Sequence, residues 1–572
     1  MRNVHLVPAT ASRTVAAVLL AALAVAGCNR LDNLWSAATA PGPDAAPLDA
    51  ALVVPLDPSV PPRADDDSGT GAYEPEPPAR DAGPGAVDAP AVADVEATAD
   101  APAATDGPAP VRITALAFRT GIVEAPQGSA HWIGYLRAGA QIDVVRGPVG
   151  NDGCPARRDT RGAGWYEVAG GGFMCVGPLA ALTESLGDRP ITRRLPNPPD
   201  LDASMPFTYG RATRAAAVYR WLPSEADERV VEPERFAPRA ATADPDAGVA
   251  DGGATDGAVA DAQVRIEDLE GAAGTPLLRR ALRGMYMSLH RQMQADSGGD
   301  YWHTQSGGYI RSNAVATLHD PGYFQGVTLD ATHHLPMAFA LSATTFTFQS
   351  SGRSMARVST APRLTAFQLT DEPPVTVGRD QYFHTTDGFF VRSRQVRVVT
   401  RHDPPVDLAP GEHWIDVNLD HQSAVAYEGV NPVYVTVMSS GRRNERNPDE
   451  NYETVQGGFR ILSKHVATTM DGNSANDGPY SIEDVPWVMY FEGSFALHGA
   501  FWHNGFGAMH SHGCVNMSPP DARWFFNWTE PHVPVGWHGA YANAQHPGTR
   551  VYVHYDEQPL GTRGGPDHVP QH

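Results

Sequence analysis

Three segments share one glycine-centred pattern, and this pattern limits the possible folds of the chain more than any other feature. Segments 165–176, 301–312 and 382–393 align without gaps, and each begins with two aromatic residues. The aligned glycines are Gly171, Gly307 and Gly388. Alternating apolar residues on both sides of a tight glycine turn are typical of a β-hairpin. The chain is therefore predicted to be mainly β.

The repeated hairpin is similar to the closing hairpin of bacterial Src-homology-3-like (SH3-like) small barrels. It predicts three such regions, at residues 111–185, 200–318 and 335–402, with a low-complexity insert at 241–263 in the second. The alternative is an irregular β domain without a binding role.

A regular alternation of apolar residues begins near Gly411. It predicts an antiparallel meander with strands at 413–419, 424–428 and 433–438. Further on, Ser518 is predicted to cap a helix that continues through Trp528. The aromatic rings of this helix are expected to pack it onto the sheet, and carbohydrate stacking is the alternative.

The candidate chemistry lies between residues 495 and 517. Cys514 is a potential nucleophile, and a cysteine attacks only as the thiolate, so it needs a neighbouring base such as His498. The glycine-rich turn before Cys514 adds backbone donors for a developing oxyanion. A catalytic thiol site is therefore predicted in this segment.

This segment resembles the signature of the L,D-transpeptidase (YkuD-type) catalytic domain, which implies a β-sandwich with short helices over residues 411–556. The resemblance implies that Cys514 is the nucleophile, that His498 is the general base and that the Gly499 carbonyl orients the imidazole. His512 and Gly513 would then shape the oxyanion pocket. The residues that carry the resemblance are His498-Gly499 and Ser511-His512-Gly513-Cys514-Val515-Asn516.

The resemblance also implies a set of substrate-binding residues. Tyr490 is placed near the donor pocket, with a packed core tyrosine as the alternative. Trp502 and His503 fall where the family has a mobile lid, and Ser511 belongs to the same set. Asn516 stands where many family members carry arginine, so substrate-carboxylate recognition is expected to involve other residues.

A second element supports the resemblance. Thr454-Val455-Gln456-Gly457-Gly458-Phe459 is similar to the family's Thr-Pro-x-Gly-x-Phe element, with Val455 in place of proline.

The activity implied by the resemblance is cleavage of the terminal D-alanine from a tetrapeptide stem of peptidoglycan, with transfer of the acyl group to an amine. Carbapenems are the implied covalent inhibitors, and no cofactor is expected. Two alternatives remain open: an L,D-carboxypeptidase, in which water replaces the amine, and an inactive peptidoglycan-binding lipoprotein.

Two other interpretations of the same residues are a buried structural thiol at Cys514 and a zinc peptidase. The motif contains residue types that bind zinc. However, no Asp or Glu lies between His498 and Cys514 to act as the general base of a zinc peptidase. The candidate ligands are His498, His503, His510, His512 and Cys514.

Residues 1–27 are predicted to be an export signal, with a basic start and an apolar run too short to span a bilayer. Val25-Ala26-Gly27-Cys28 resembles a bacterial lipobox, which implies acylation of Cys28 and a periplasmic lipoprotein, by analogy at the outer membrane. Residues 28–110 are rich in Ala, Pro and Asp and predict a disordered tether. The polar tail 557–572 is expected to be flexible.

The chain has four cysteines. With Cys28 assigned to lipid and Cys514 to catalysis, Cys154 and Cys175 remain and are predicted to form a disulfide in the oxidising envelope.

Charge excludes one class of partner. The chain has 43 Lys and Arg against 65 Asp and Glu, a net charge of -22 at pH 7. Nucleic acid is therefore not an expected partner.

Overall fold

The structure is a computed structural model that describes residues 57–58, 110–155, 160–187, 195–236, 264–405, 407–444, 446–448, 451–474 and 478–556. The predicted signal, Cys28, most of the tether, the insert and the tail lie outside these residues. Nearly all of the described residues belong to one compact unit. None of the helices within them has the length and apolar character needed to cross a membrane.

The first region is a series of antiparallel strands around a core that includes Ile113, Ile122 and Met174. The predicted disulfide between Cys154 and Cys175 is present. In order of pairing, the strands are Trp132–Leu136, Thr120–Val123, Phe173–Val176, Gly164–Val168, Gln141–Arg146, Arg112–Ala115 and Ala180–Leu182, and the 3₁₀ helix Thr183–Ser185 follows.

Over the described residues, this series does not close into a barrel. Its edge strand Trp132–Leu136 pairs with Gly539–Tyr541 near the C-terminus of the chain. The likeness to SH3-like modules therefore stays a prediction.

The second region is also mainly antiparallel, and one α-helix, Glu225–Val231, lies against it. Ser224 caps this helix by accepting a hydrogen bond from the Asp227 backbone N–H. The strands are Thr208–Ala212, Ala216–Tyr219, Leu269–Glu270 (which pairs with Asp57–Pro58), Leu277–Ala281, Tyr286–Gln294, Asp300–Thr304, Tyr309–Arg311 and Val315–Thr317. The 3₁₀ helices are Pro233–Phe236, Ile266–Asp268 and Ser312–Ala314.

The third region has two small antiparallel sheets. The three-stranded sheet has the order Ala366–Gln368, Met337–Ala340, Val396–Val399. The five-stranded sheet has the order Ser354–Pro362, Thr344–Ser351, Phe390–Arg392, Asp380–His384, Val375–Val377, with the 3₁₀ helix Ser393–Gln395 beside it.

All three predicted hairpins are confirmed, and they share one turn geometry. The strands on either side of each glycine turn pair antiparallel. Gly171, Gly307 and Gly388 have φ values of 95°, 91° and 82°, a conformation that favours glycine. The N–H of each glycine donates to the carbonyl three residues earlier, at 3.1, 3.0 and 3.0 Å. The sequence repeat is therefore a repeat of backbone conformation.

The C-terminal region is a β-sandwich. Its first sheet contains β1 (His413–Asn418), β2 (Ser423–Glu428), β3 (Asn431–Val437), β4 (Gly457–Arg460) and β10 (Arg550–His554), in the order β3-β2-β1-β10-β4. The strand Val327–Thr328 extends it beyond β3. The predicted meander is confirmed, since β1, β2 and β3 pair consecutively and antiparallel.

The second sheet contains β5 (Ser463–Ser474), β6 (Gly478–Glu492), β7 (Phe495–Gly499), β8 (Val515–Met517) and β9 (Gly539–Tyr541), in the order β8-β7-β6-β5-β9. Helix α1 (Pro519–Trp528) follows β8, and Ser518 caps it as predicted.

One buried core joins the two sheets and α1. Its members include Ile415 and Ala426 from the first sheet, Met489 and Leu497 from the second, and Phe525 from the helix. The rings of α1 thus pack the helix onto the sheet, as expected.

The long β5–β6 hairpin carries the contacts to the first and second regions. Glu483 forms a buried ion pair with Arg279, and Asp484 forms one with Arg137. The hydroxyl of Tyr209 donates to the Asp484 carbonyl at 2.6 Å. The catalytic-motif sheet is therefore attached to the preceding regions by buried polar contacts.

Candidate active site

The register of β7 against β8 places the three principal motif residues together. The two strands run parallel, with His498 opposite Asn516. Cys514 directly precedes β8 and lies two residues before Asn516. The Cys514 side chain packs against a buried cluster that includes Ala496, which is two residues before His498 on β7 and therefore shares its face.

His498 is buried, with 2% exposure. Its Nδ1 lies 3.2 Å from the Gly499 carbonyl oxygen, which can only accept a hydrogen bond, so Nδ1 carries the proton. Burial lowers the pKa of His498 to about 4, although the hydrogen bond to Gly499 opposes this shift. At neutral pH, Nε2 therefore holds a lone pair and can accept a proton.

The turn before Cys514 is held by side chains. The Ser511 hydroxyl accepts from the Gly513 N–H at 3.1 Å and donates to the Cys514 carbonyl. Thr454 Oγ1 donates to the Gly513 carbonyl at 2.7 Å. Gly513 has φ 129°, and a Cβ there would lie 2.9 Å from the Phe495 ring. Glycine is thus required at this position.

These contacts bear on the predicted roles of Ser511 and Gly513. Ser511, expected among the substrate-binding residues, is buried, and the hydrogen bonds of its hydroxyl stay within the turn. Gly513 shapes the turn as expected, but its N–H is occupied by Ser511 and is not available to an oxyanion in this geometry.

The Cys514 thiol is half-buried beside an apolar wall. It donates to the Ser494 carbonyl, with 3.5 Å between Sγ and the oxygen. Among the described residues it is the cysteine outside a disulfide bond. The buried part of the wall consists of Val485, Val488 and Ala496. Its half-buried rim consists of Met470, Ile482, Tyr490 and Trp502. Tyr490 and Trp502 are thus brought to Cys514.

Trp502 covers one face of His498. Its ring stacks on the His498 ring with a centroid distance of 5.7 Å and an interplanar angle of 29°. Phe501 beside it packs against Tyr209 at 4.3 Å and Tyr286 at 5.5 Å. Trp502 therefore helps to exclude water from His498 and is backed by the second region.

His503 lies next to Asn516. Its Nδ1 accepts from the Gly505 N–H at 3.0 Å, and its Nε2 lies 2.9 Å from the side-chain amide of Asn516. Burial lowers the pKa of His503 to about 3, and the charges of His510 and His498 add to the effect. Because Nδ1 accepts, the proton of the neutral ring is on Nε2, and the Asn516 amide accepts it through its oxygen. His503 is thus a neutral residue that supports Asn516.

Two arginines of the third region hold the loop after His503. The Arg363 guanidinium donates to the carbonyls of Asn504 and Phe506. Arg397 Nε donates to the Gly507 carbonyl at 2.8 Å. The sequence gives no local signal for these contacts, since more than a hundred residues separate the partners along the chain. This loop, expected to be a lid, is held by these two arginines at three backbone carbonyls.

His512 is exposed and contacts Arg442. Because arginine only donates, the 2.8 Å contact between Arg442 Nη2 and His512 Nε2 makes Nε2 the acceptor. The imidazole stacks on Tyr480 at 5.6 Å, and the Arg442 guanidinium lies 5.5 Å over the Tyr452 ring. Arg442 was not predicted from the sequence, yet it places a cation beside the turn that precedes Cys514.

The geometry does not favour a zinc site in the motif. Nδ1 of His498 is bonded to Gly499, both ring nitrogens of His503 are engaged, and Nε2 of His512 accepts from Arg442. Among the described residues, the three side chains with converging ligand atoms are His402, Asp416 and His554, outside the motif.

Comparison with known proteins finds one family that matches the C-terminal region. Residues 412–553 match the YkuD family model, described as the L,D-transpeptidase catalytic domain. A curated relative from Bacillus subtilis (strain 168), "Putative L,D-transpeptidase YciB", is 26% identical over 140 residues. The matched segment covers 23% of this chain and 67% of the relative.

Solved structures of low identity also match. An L,D-transpeptidase of Xylanimonas cellulosilytica DSM 15894 is 21% identical, with 27% of this chain and 65% of that chain covered and a TM-score of 0.19. The catalytic domain of an E. faecium L,D-transpeptidase is 22% identical, with 25% and 98% covered and a TM-score of 0.19. LdtMt1 in complex with imipenem is 16% identical, with 42% and 89% covered and a TM-score of 0.19.

The C-terminal sandwich is therefore an L,D-transpeptidase catalytic domain, of the YkuD type, on the evidence of the family match over residues 412–553.

Proposed function

We propose that this protein is a peptidoglycan L,D-transpeptidase in which Cys514 is the nucleophile and His498 the general base. The observation that carries the proposal is the hydrogen bond from His498 Nδ1 to the Gly499 carbonyl. This bond leaves the Nε2 lone pair to take the proton of Cys514, whose side chain packs against the cluster that includes Ala496 on the His498 face of β7.

In the first half of the reaction, His498 Nε2 takes the proton from the Cys514 thiol. The thiolate attacks the carbonyl carbon of the L-centre in a tetrapeptide stem, and a C–S bond forms. The C–N bond to the terminal D-alanine then breaks, and His498 returns the proton to the leaving amine. A thioester on Cys514 remains.

In the second half, an amine of another stem attacks the thioester and gives its proton to His498. A new C–N bond forms, the C–S bond breaks and the proton returns to the Cys514 sulfur. Water in place of the amine gives hydrolysis and carboxypeptidase activity. The outcome depends on how well Trp502 and the anchored loop exclude water.

Substrate binding is proposed at the rim of the apolar wall. Tyr490 and Trp502 offer aromatic surface in the cluster against which Cys514 packs. Arg442 next to His512 offers a cation for a stem carboxylate.

The test is intact-mass spectrometry of the full chain after incubation with a carbapenem, and separately with a disaccharide tetrapeptide. We expect a covalent adduct and D-alanine release in the wild type, and neither in Cys514→Ala or His498→Gln. His546→Gln is the matched control, since His546 is an exposed histidine of the same domain. Dimeric product indicates transpeptidation, and tripeptide indicates hydrolysis. A folded protein with a reduced Cys514 but no adduct would favour the inactive wall-binding lipoprotein.

We further propose that Cys28 is acylated and that the protein is anchored in the cell envelope, on the periplasmic side and by analogy at the outer membrane. The lipobox-like sequence before Cys28 supports this proposal. In a native host, a Cys28→Ser chain is expected in the soluble fraction instead of the membrane fraction. Membrane association unchanged by this substitution would contradict acylation at Cys28.

A further inference from the structure

A buried cluster of His402, Asp416 and His554 lies where the third region joins the catalytic domain. Asp416 is on β1, His554 is the last residue of β10, and these strands pair in parallel. His402 belongs to the segment that connects the third region to β1. The candidate ligand atoms lie within 4.8 Å of one another. Asp416 is 1% exposed and His554 is 7% exposed.

Both oxygens of the Asp416 carboxylate face imidazole nitrogens. His402 Nδ1 lies 2.8 Å from Oδ2, and His554 Nε2 lies 2.7 Å from Oδ1. On its other side, His554 Nδ1 lies 3.2 Å from the Tyr555 carbonyl oxygen, which can only accept. Both ring nitrogens of His554 therefore face oxygens that accept.

A neutral His554 can donate to only one of these two acceptors. A neutral imidazole with its proton on Nδ1 would direct the Nε2 lone pair at the carboxylate, and the two would repel each other. Either a second proton on His554 or a metal ion resolves this contact. Two imidazoles and one carboxylate are a ligand set that zinc commonly takes.

We propose that His402, Asp416 and His554 bind a divalent transition-metal ion, with Zn²⁺ as the best-matched ion. The His554–Tyr555 contact is the outer hydrogen bond that metal-ligating histidines usually make, and it sets the tautomer with Nε2 toward the metal. To admit the ion, the two short N···O distances would open by about half an ångström, to the separation of ligands bound at ~2.0–2.2 Å.

His402 is the most exposed of the three proposed ligands, and its side chain is 23% exposed. A fourth ligand is available there from water or from Asp556, whose charge acts on His402. Asp556 is itself held by Asn418 at 2.7 Å and by His421 at 2.8 Å.

The expected role of the ion is structural. It would tie the connecting segment to two strands of the first sheet, at a point where the His402 N–H also donates to the Tyr427 hydroxyl at 3.1 Å. None of the three ligands belongs to the Cys514 site, so the inference stands apart from the proposed function.

The test uses the full chain with Cys514→Ser, so that the catalytic thiol cannot bind metal. After dialysis against a chelator, Zn²⁺ alone is titrated in competition with a chromophoric chelator. We expect one ion per chain, and at least about tenfold weaker binding in His402→Gln and in His554→Gln. His413→Gln is the matched control, because His413 lies on β1 but outside the cluster, and its affinity should be unchanged.

Co²⁺ provides a second measurement that does not depend on affinity. The visible absorption of tetrahedral Co²⁺ should appear with the parent chain and be lost in His554→Gln, with near-ultraviolet circular dichroism to verify folding. Absence of stoichiometric Zn²⁺ binding, or equal binding by the His402 and His554 variants, would overturn the proposal. Carbapenem acylation of the chain that retains Cys514 tests the transpeptidase function separately.

Discussion

The most informative residue of the site is His498, because its burial and its single hydrogen bond fix both its charge and its tautomer. The motif made His498 and Cys514 identifiable from the sequence, since the family signature places them at defined positions. The sequence did not indicate that Trp502 stacks on the imidazole or that Ser511 holds the turn. Those contacts depend on the relative positions of β7, β8 and the loop between them, which are set by tertiary packing.

The buried state of His498 predicts the pH dependence of acylation. Because burial lowers its pKa to about 4, the imidazole stays neutral until the pH falls through that value. The acid limb of the carbapenem acylation rate should therefore lie near pH 4 and not near pH 6.5. In Trp502→Ala, water reaches the imidazole, its pKa rises towards the ordinary value and the acid limb moves to higher pH.

The measurement is a pH–rate profile of acylation by intact mass, with Trp132→Ala as the control because Trp132 is 47% exposed in the first region. An acid limb that is the same in the wild type and in Trp502→Ala would contradict this account.

Arg442 permits a second prediction at the residue scale. Its guanidinium lies beside His512, next to the turn that precedes Cys514. If it binds a stem carboxylate, Arg442→Gln should raise KM for the tetrapeptide about 10- to 100-fold, the effect of one charged hydrogen bond. The rate of acylation by a saturating carbapenem should change much less.

Arg443→Gln is the matched control, since the neighbouring Arg443 contacts Glu453 and Tyr555 instead of His512. Equal losses in both variants would mean that general positive charge, and not Arg442, attracts the substrate.

At the scale of elements, local patterns were predictable and long-range pairings were not. The three hairpins follow from a glycine turn and alternating apolar residues, both of which act over a few residues. The meander β1–β3 and the capped helix α1 follow for the same reason. The pairing of Trp132–Leu136 with β9 joins strands from opposite ends of the chain, and no feature of either strand specifies its partner.

The loop after His503 is held by contacts with the third region that no local sequence pattern indicates. Arg363 and Arg397 of the third region hold its carbonyls, so Arg363→Ala should loosen it and let water reach His498 and Asn516. We expect faster amide hydrogen exchange at residues 504–507 and slower acylation of Cys514, with the overall fold retained. Both are measured by mass spectrometry.

Arg357→Ala controls for the loss of an arginine from the same region. The Arg357 guanidinium lies 4.1 Å over the Phe346 ring and contacts a different part of the structure. Unchanged exchange at residues 504–507 in Arg363→Ala would show that the loop is held by other contacts.

At the scale of the whole molecule, the unexpected feature is that the regions are joined by buried ion pairs. Arginines and carboxylates are usually on the surface, and no sequence pattern indicates that Arg137 or Arg279 pairs with residues of β6. The Asp484 carboxylate accepts from the Arg137 guanidinium, with one contact at 2.9 Å, and from the Ser288 hydroxyl. First, second and C-terminal regions thus meet at one carboxylate.

Because buried ion pairs join the regions, we expect the regions to unfold together. We also expect that breaking the Arg137–Asp484 pair lowers the free energy of unfolding. In Arg137→Met the buried Asp484 charge loses its partner, which destabilises proteins by about 3–5 kcal/mol. Arg112→Met is the matched control, because its ion pair with Asp143 at 2.8 Å is about half exposed and such pairs contribute about 0–1 kcal/mol. Differential scanning calorimetry should show one cooperative transition in the wild type and in Arg112→Met, and a clearly lower Tm in Arg137→Met. Two separate transitions in the wild type, or equal shifts in both variants, would show that the regions are independent domains and that the ion pair does not join them.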